Sequence, residues 1–196
     1  MTQNLSKDQR ISSILDAAIE EFLEKGYERA SMEAIAKRAG LSKGGLYHHF
    51  INKDEVLMFA NNKLAEPVMA IMQEISLCPS KSDMLSTYID KYIRYWAMRP
   101  KELQFYFLSM TKAFQHESFK SQYEIYTEYM LDFFEAIYKS GEEKGEFAGG
   151  NARDRAFALI SALDGSVAYL HLDVKLSQDK VIEMFCQLFI NNLKTK

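Results

Sequence analysis

A cluster of basic side chains lies near the amino terminus of the chain. Five lysines and arginines but a single glutamate, Glu33, fall between residues 29 and 53. Cations gathered in this way can neutralise the phosphates of nucleic acid. Because the formal net charge of the 196-residue chain is −3, nucleic-acid binding would have to be local to this patch. The basic residues are Arg29, Lys37, Arg38, Lys43 and Lys53.

Two short helices are expected to carry these side chains. Ser31 can cap the helix MEAIAKRA and Ser42 the helix KGGLYHHF, and the turn AGLS separates them. This is the shape of a helix-turn-helix, whose second helix enters the major groove and meets base edges with its first residues. A longer amphipathic helix precedes the motif and stops at Gly26, and Asn52 with Glu55 opens a fourth helix through a variant of the capping box.

Helical spacing of apolar residues continues through the rest of the chain, which has only 3 prolines and 9 glycines for turns. We therefore predict an all-α fold of about nine helices, with Pro67 kinking or interrupting the fourth. A DNA-binding domain over residues 1–50 and a ligand-binding and dimerisation domain over residues 51–196 are expected. The six longer helices are predicted over about 53–76, 84–98, 102–114, 117–140, 152–171 and 178–193.

The segment ASMEAIAKRAGLSKGGLYHHFINKDEVL resembles the DNA-binding domain of the TetR family of bacterial transcriptional regulators. The likeness rests on the serine start, IA, AG, G-x-L-Y-x-H-F and K-x-x-x-L at fixed spacing, and it covers about residues 10–58. Beyond that point the chain resembles the family only in layout. The resemblance implies an all-α homodimer that binds a DNA operator and encloses a small-molecule effector. By motif position it implies DNA contacts at Ser31, Ser42, Lys43, Gly44, Tyr47, His48 and Lys53.

Each implied contact has a physical role and a plainer alternative. Lys43 can reach a guanine edge or a phosphate, and Tyr47 can offer its hydroxyl to a phosphate. Lys53 lies at a helix N-terminus, where backbone N–H groups also attract phosphate. The alternative is an exposed side chain without a DNA contact for Lys43, His48 and Lys53, and a packed ring for Tyr47. His49 is expected to support the fold. Because neighbouring helical residues point about 100° apart, His48 and His49 are poorly placed to bind one ion, and we expect no metal site. We also expect no cofactor.

Aromatic side chains concentrate between residues 88 and 138. Tyrosine is costly to bury without a partner for its hydroxyl, so this many tyrosines favour a partly polar pocket or an interface. With adaptable methionines, such a pocket suits a flat or lipophilic molecule, although most of these aromatics are expected to form core. Heptad-like apolar spacing in the last two helices predicts homodimerisation. The residues expected to line the effector pocket are Trp96, Phe107, Met110, Tyr126 and His171.

The function expected from these features is a ligand-responsive DNA-binding regulator, most often a repressor in the family, released from a palindromic operator by a small lipophilic or aromatic effector. The alternative is a helical ligand-binding or scaffolding protein without specific DNA binding. We do not expect an enzyme, because no nucleophile, base and orienting group stand out together. The polar first residues and the lack of a long apolar stretch favour a cytoplasmic protein without a membrane partner.

Overall fold

A computed structural model of the protein describes residues 6–172 and 175–195, except for the side chain of Ser118. Within these residues the chain forms nine α-helices, a single 3-10 turn at Asn191–Leu193 and no β-strand, which confirms the all-α prediction. The helices are α1 (Lys7–Lys25), α2 (Met32–Arg38), α3 (Lys43–Tyr47), α4 (Lys53–Ile75), α5 (Lys81–Ala97), α6 (Pro100–Ala113), α7 (Glu117–Glu143), α8 (Ala152–Leu170) and α9 (Gln178–Phe189).

The helices fall into two compact units. The first contains the residues up to Glu66 together with Lys101–Phe119, and the second contains Pro67–Pro100 and the residues from Lys120 onward. The chain therefore passes between the units three times: inside α4, at the start of α6 and inside α7. The first unit thus holds α1 to α3, the first half of α4 and nearly all of α6.

The first unit is built on the apolar face of α1. Ser6 and Gln9 form a capping box that starts this helix, and Gly26 ends it with a φ of 75°, a left-handed value that glycine adopts readily. Ile14, Ala18 and Phe22 are fully buried along one face at helical spacing, with Phe105 of α6 stacked on Phe22 at a centroid distance of 6.1 Å. The fourth helix, α4, runs through Pro67 without interruption, so the proline does not end it.

The core of the second unit is aromatic. Tyr88, Tyr92 and Trp96 lie at intervals of four along α5 and are all buried. The ring of Tyr88 stacks on Tyr92 at 5.5 Å and meets Phe134 of α7 edge-on at 4.7 Å. Gly141 leaves space for Phe147, since a Cβ there would lie 2.2 Å from its ring. Among the described residues no helix is both long and apolar enough to cross a membrane.

Candidate nucleic-acid interface

Serine caps start both helices of the predicted motif. The Ser31 hydroxyl accepts a hydrogen bond from Ala34 N at 3.2 Å, and the Ser42 hydroxyl accepts one from Gly45 N at 3.1 Å. Gly40 turns the chain between α2 and α3 with a φ of 68°. Leu41 N then donates to Ala36 O at 2.8 Å, which closes the turn. Both serines therefore hold the motif together, and their DNA contacts stay a prediction.

One face of α3 is anchored in the first unit. Leu46 is completely buried and Phe50 is 2% exposed. The Phe50 ring meets Phe59 of α4 edge-on at 5.6 Å. This packing holds a helix of only 5 residues, which would not be stable alone because helix nucleation is costly.

The opposite face of α3 is exposed and brings together four of the seven predicted DNA contacts. Lys43, Gly44, Tyr47 and His48 are all exposed, with Tyr47 at 45% of its surface. No atom lies within 4 Å of where a Cβ on Gly44 would be. This short surface offers a cation, a phenol, an imidazole and a bare stretch of backbone, which are groups suited to phosphates and base edges.

Lys43 carries the positive charge of this face. Its ammonium pairs with the Glu33 carboxylate across the turn, and 60% and 56% of the two side chains remain exposed. The pairing raises the pKa of Lys43 and lowers the pKa of Glu33 through their hydrogen bond. Exposed ion pairs contribute little to stability because water screens them. A phosphate can therefore replace Glu33 as the partner of Lys43 at small cost.

Lys53 is placed differently from the other predicted contacts. Its ammonium donates to the carbonyl oxygens of Tyr27 at 2.6 Å, Ala30 at 3.0 Å and Glu28 at 3.3 Å. It also lies 4.3 Å from the centroid of the Tyr27 ring, and burial lowers its pKa. The structure therefore directs this ammonium into the loop between α1 and α2. The motif gave the position of Lys53, but nothing in the sequence indicated Tyr27 as its partner.

His49 differs from its neighbour His48. His49 is only partly exposed, and its ring lies 6.5 Å from the Phe50 ring. Burial lowers its pKa, and the positive charges of His48, Lys7 and Arg10 lower it further. The neutral imidazole is thus the form that the folded protein favours.

Two of the five residues predicted to line an effector pocket meet in the second unit. Nε2 of His171 lies 2.9 Å from the carbonyl oxygen of Trp96, whose side chain is 3% exposed. Tyr126 belongs to the same unit, and its pKa is raised by burial and by the charge of Asp164. Phe107 and Met110 lie on α6 in the first unit. The role of all five stays a prediction.

A polar centre accompanies the aromatic core of the second unit. The hydroxyl of Tyr92 donates to the Asp164 carboxylate at 2.5 Å. Burial raises the pKa of the neighbouring Tyr88, as do the nearby Tyr126 and Asp164. Sequence reasoning did not single out this group. The signal that could have found it was an aspartate in an otherwise apolar stretch of α8, opposite a tyrosine-rich α5.

Two clefts open on the surface of the second unit. One, of about 390 Å³, is lined by residues of α5 and the start of α9, including Arg94 and Asp179. These two side chains form an ion pair of 2.6 Å. The other, of about 310 Å³, follows α9 past Met184 and Leu188. None of the five predicted pocket residues is among the lining of these two clefts.

Apolar side chains are exposed along α8, α9 and the segment between them. Phe157 is 60% exposed, Tyr169 63% and Leu188 52%. Large apolar side chains that cluster on a surface indicate a binding site for another protein surface. The other members of this set are Leu172, Leu176 and Met184.

A capped pair of short helices, with an exposed and basic second helix anchored by buried apolar residues, defines a helix-turn-helix DNA-binding protein. Residues 14–58 match the model of the bacterial regulatory proteins of the tetR family, so this part of the chain has the DNA-binding domain of that family. The protein is a DNA-binding transcriptional regulator.

Some known proteins are similar over nearly the whole chain. The HTH-type transcriptional regulator QacR of Staphylococcus aureus (strain Mu50 / ATCC 700699) is 24% identical over 187 residues, which are 92% of this chain and 96% of that protein. A putative transcriptional regulator from Pseudomonas aeruginosa PAO1 has the same fold with a TM-score of 0.88 and 19% identity, covering 96% of this chain and 92% of that one. FadR from Bacillus subtilis, solved in complex with stearoyl-CoA, has a TM-score of 0.76 and 20% identity, covering 93% and 98%.

Proposed function

We propose that this regulator acts as a homodimeric repressor, which binds a palindromic operator in the cytoplasm and is released by a small lipophilic or aromatic effector. The observation that carries the proposal is the exposed face of α3, which presents Lys43, Gly44, Tyr47 and His48 together. Leu46 and Phe50 hold this face in place from behind. The protein acts by binding rather than by catalysis.

On DNA, the first residues of α3 enter the major groove. Lys43 exchanges its partner Glu33 for a guanine edge or a phosphate, and Tyr47 donates its hydroxyl to a phosphate. His48 contacts the backbone or a base next to Tyr47. Gly44 lets the helix backbone approach the duplex, because no side chain stands between them. Residues 1–50 are thus the DNA-binding domain in this proposal.

Two copies pair through the exposed apolar residues of α8 and α9, and residues 51–196 form the ligand-binding and dimerisation domain. A symmetric dimer repeats the same patch on both subunits, as its symmetry requires. It also places two α3 helices in successive major grooves, about one helical turn apart. Dimerisation therefore accounts for the apolar side chains at the surface and predicts a palindromic operator.

The effector binds within the second unit, close to its aromatic core. Tyr88, Tyr92 and Trp96 supply flat apolar surface, and Asp164 supplies a polar anchor. The structural similarity to FadR from Bacillus subtilis, which was solved with stearoyl-CoA, supports a lipophilic ligand. The effector and DNA each favour a different conformation of the dimer, so each weakens the binding of the other. The continuous helix α4 transmits the change, and Pro67, where the two units divide, is where α4 bends.

Selection of DNA tests the proposal. The purified protein is incubated with random-sequence duplexes, and the recovered duplex is titrated across a salt series. We expect a palindromic sequence whose affinity falls linearly with salt on logarithmic axes, because binding releases counterions from phosphates. Recovery of no sequence above background would overturn DNA-binding regulation by this chain and favour a helical ligand-binding or scaffolding protein.

The effector class is tested through Trp96, which is the single tryptophan of the chain. Its emission is recorded during titration with stearoyl-CoA, stearate, naphthalene and coenzyme A without an acyl chain. We expect the lipophilic compounds, but not free coenzyme A, to change the emission and to raise the melting temperature. No response to any lipophilic compound would count against this class of effector.

A further inference from the structure

The side chain of Tyr27, in the loop between α1 and α2, contacts two ammonium groups. Nζ of Lys53, the first residue of α4, lies 4.3 Å from the ring centroid, and Nζ of Lys112, on the last turn of α6, lies 4.7 Å from it. Tyr27 is 7% exposed, and its hydroxyl donates to Asp54. An aromatic ring attracts cations through its quadrupole, and more strongly where water is excluded. Tyr27 therefore joins two helices that are far apart in the sequence.

Lys112 is a charged residue in a buried position. It is 8% exposed, and its ammonium pairs with the Glu28 carboxylate and donates to Gln115 Oε1 at 3.0 Å. Burying an ammonium is costly unless charges and hydrogen bonds compensate it. A methionine of similar length would fill the space without that cost. At this burial the side chain is also poorly placed to reach a phosphate.

Apart from Gln115, which follows α6, the partners of Lys112 lie in one loop. Tyr27 and Glu28 belong to the segment that joins α1 to α2, and Lys53 holds the carbonyl oxygens of the same segment. This loop leads directly into α2, and Lys53 begins the helix that follows α3. The position of the loop against the start of α4 therefore constrains the orientation of α2 and α3 within the first unit.

We propose that Lys112 is a positioning residue for DNA binding: through Tyr27 and Glu28 it fixes the loop between α1 and α2 against the start of α4, and so sets the orientation of α3. The inference rests on the DNA-binding function. It also gives α6 a role. This helix continues directly from the Pro67–Pro100 segment of the second unit, and its residues from Lys101 onward belong to the first unit. A displacement of α6 changes the contact of Lys112 with Tyr27 and thereby the orientation of α3.

The test compares Lys112→Met with Lys101→Met. Both lysines lie on α6, and both substitutions remove one positive charge, but the Lys101 side chain is 75% exposed, and within the described part of the chain its ion pair is with Glu20. On the duplex that the unaltered protein recovers from a random pool, K112M is expected to bind about fivefold more weakly, in line with the loss of a shielded cation–ring contact. K101M is expected to bind as the unaltered protein does, and K112R to recover most of the lost affinity.

Two further readouts separate positioning from other roles. K112M is expected to keep the salt dependence of binding, because no phosphate contact is lost. In a Tyr27→Leu background the effect of K112M is expected to shrink, and in a Tyr27→Phe background, which keeps the ring, it is expected to persist in full. Equal affinity of K112M and K101M, a shallower salt dependence of K112M, or an undiminished effect of K112M without the ring would each overturn the proposal.

Hydrogen exchange without DNA keeps the two proposals distinguishable. Amides of residues 26–31 and 43–50 are expected to exchange several-fold faster in K112M than in K101M, whereas amides of α5 are expected to be unchanged. If the unaltered protein recovers no duplex, the proposed function fails, and the exchange result still decides whether Lys112 orders α3. Unchanged exchange in both segments would contradict the positioning role even in a protein that binds DNA.

Discussion

The backbone N–H of Gly45 donates to the hydroxyl of Ser42 at 3.1 Å, and a Cβ on Gly45 would lie only 3.3 Å from that same oxygen. The neighbouring Gly44 has no atom within 4 Å of its Cβ position. The two adjacent glycines of α3 therefore exist for different reasons. Gly45 leaves space for the Ser42 hydroxyl that caps α3. Gly44 keeps the backbone of α3 uncovered on the face proposed to meet DNA.

Gly44→Ala is expected to stabilise the protein and to weaken DNA binding. Replacing an exposed helical glycine by alanine gains up to about 1 kcal/mol, and nothing in the protein obstructs the methyl group. The same methyl group would hold the backbone of α3 away from the duplex, so we expect affinity to fall by about tenfold or more. Urea denaturation and titration with the selected duplex measure the two effects. Unaltered affinity would show that α3 does not approach DNA at Gly44.

Gly45→Ala is expected to stabilise the protein less than Gly44→Ala, or to destabilise it. The methyl group presses on the Ser42 hydroxyl, and an N-terminal cap is worth about 1 kcal/mol. The double variant Ser42→Ala/Gly45→Ala is the control, because without the hydroxyl the second substitution should recover the full helical gain. Urea denaturation of the unaltered protein, Ser42→Ala, Gly45→Ala and the double variant measures these differences in stability. If Gly45→Ala stabilised the protein as much as Gly44→Ala while Ser42 is intact, the proposed role of Gly45 would be contradicted.

Local signals predicted the helices well. Ser31, Ser42, Asn151 and Ser177 each cap the helix that their position indicated, because a cap depends on residues within one turn. Boundaries moved where the signal was weaker. The sequence predicted α5 from about residue 84 and α7 to about residue 140, whereas α5 begins at Lys81 and α7 continues to Glu143, since glutamate and lysine are good helix formers up to the turn at Gly145.

Long-range contacts could not be predicted in the same way. Lys112 and Glu28 are 84 positions apart, and only the packing of α6 in the first unit brings them together. The motif predicted a DNA contact for Lys53, and that contact stays a prediction. A flexible side chain can turn outward or inward, and here it turns to the carbonyl oxygens of the loop. For the proposed effector site, composition indicated aromatic residues, and only the fold shows that Tyr92 donates a hydrogen bond to Asp164.

Lys43→Met is expected to weaken DNA binding and to reduce its salt dependence. Loss of one phosphate contact lowers the slope of the logarithmic salt plot by about 0.9, and loss of a guanine contact costs about 1–3 kcal/mol. Glu33→Gln should act in the opposite direction, because it frees Lys43 from its partner and removes a negative charge near the duplex. Titrations across a salt series measure both.

Lys101→Met serves as the matched control for Lys43→Met, since it removes the same charge from another exposed position of the first unit. Its affinity and slope are expected to equal those of the unaltered protein. If K43M keeps the slope and loses affinity, Lys43 meets a base rather than a phosphate. If both K43M and E33Q leave the affinity unchanged, Lys43 does not contact DNA.

Stability is expected to fall on mild acidification because of His49. Its pKa in the folded protein is lowered by burial and by neighbouring positive charges, so the unfolded chain binds more protons as the pH falls below the ordinary value of 6.5. Above that value the contribution of His49 to the free energy of unfolding does not change with pH. Below it this contribution falls with pH, and it becomes constant again below the lowered pKa. Glutamates whose pKa values lie below 4.5, such as Glu28 and Glu33, act only at lower pH.

His49→Gln isolates this effect, because glutamine stays neutral at every pH. Urea denaturation between about pH 7 and about pH 5 is expected to show a stability difference between the two proteins that shifts in favour of the glutamine variant as the pH falls. A difference that stays constant over this range would show that His49 titrates alike in the folded and unfolded chains.

Leu188→Glu is expected to separate the proposed dimer. Leu188 is 52% exposed on α9, next to Met184 on the same face, and a carboxylate placed there would have to be buried unpaired in a symmetric interface. Leu77→Glu, at a position that is 87% exposed outside α8 and α9, is the matched control. Sedimentation velocity should show a monomer for L188E alone, with affinity for the palindromic duplex falling in parallel because two linked α3 helices no longer bind together. A dimer that persists in L188E would exclude this face of α9 as its interface.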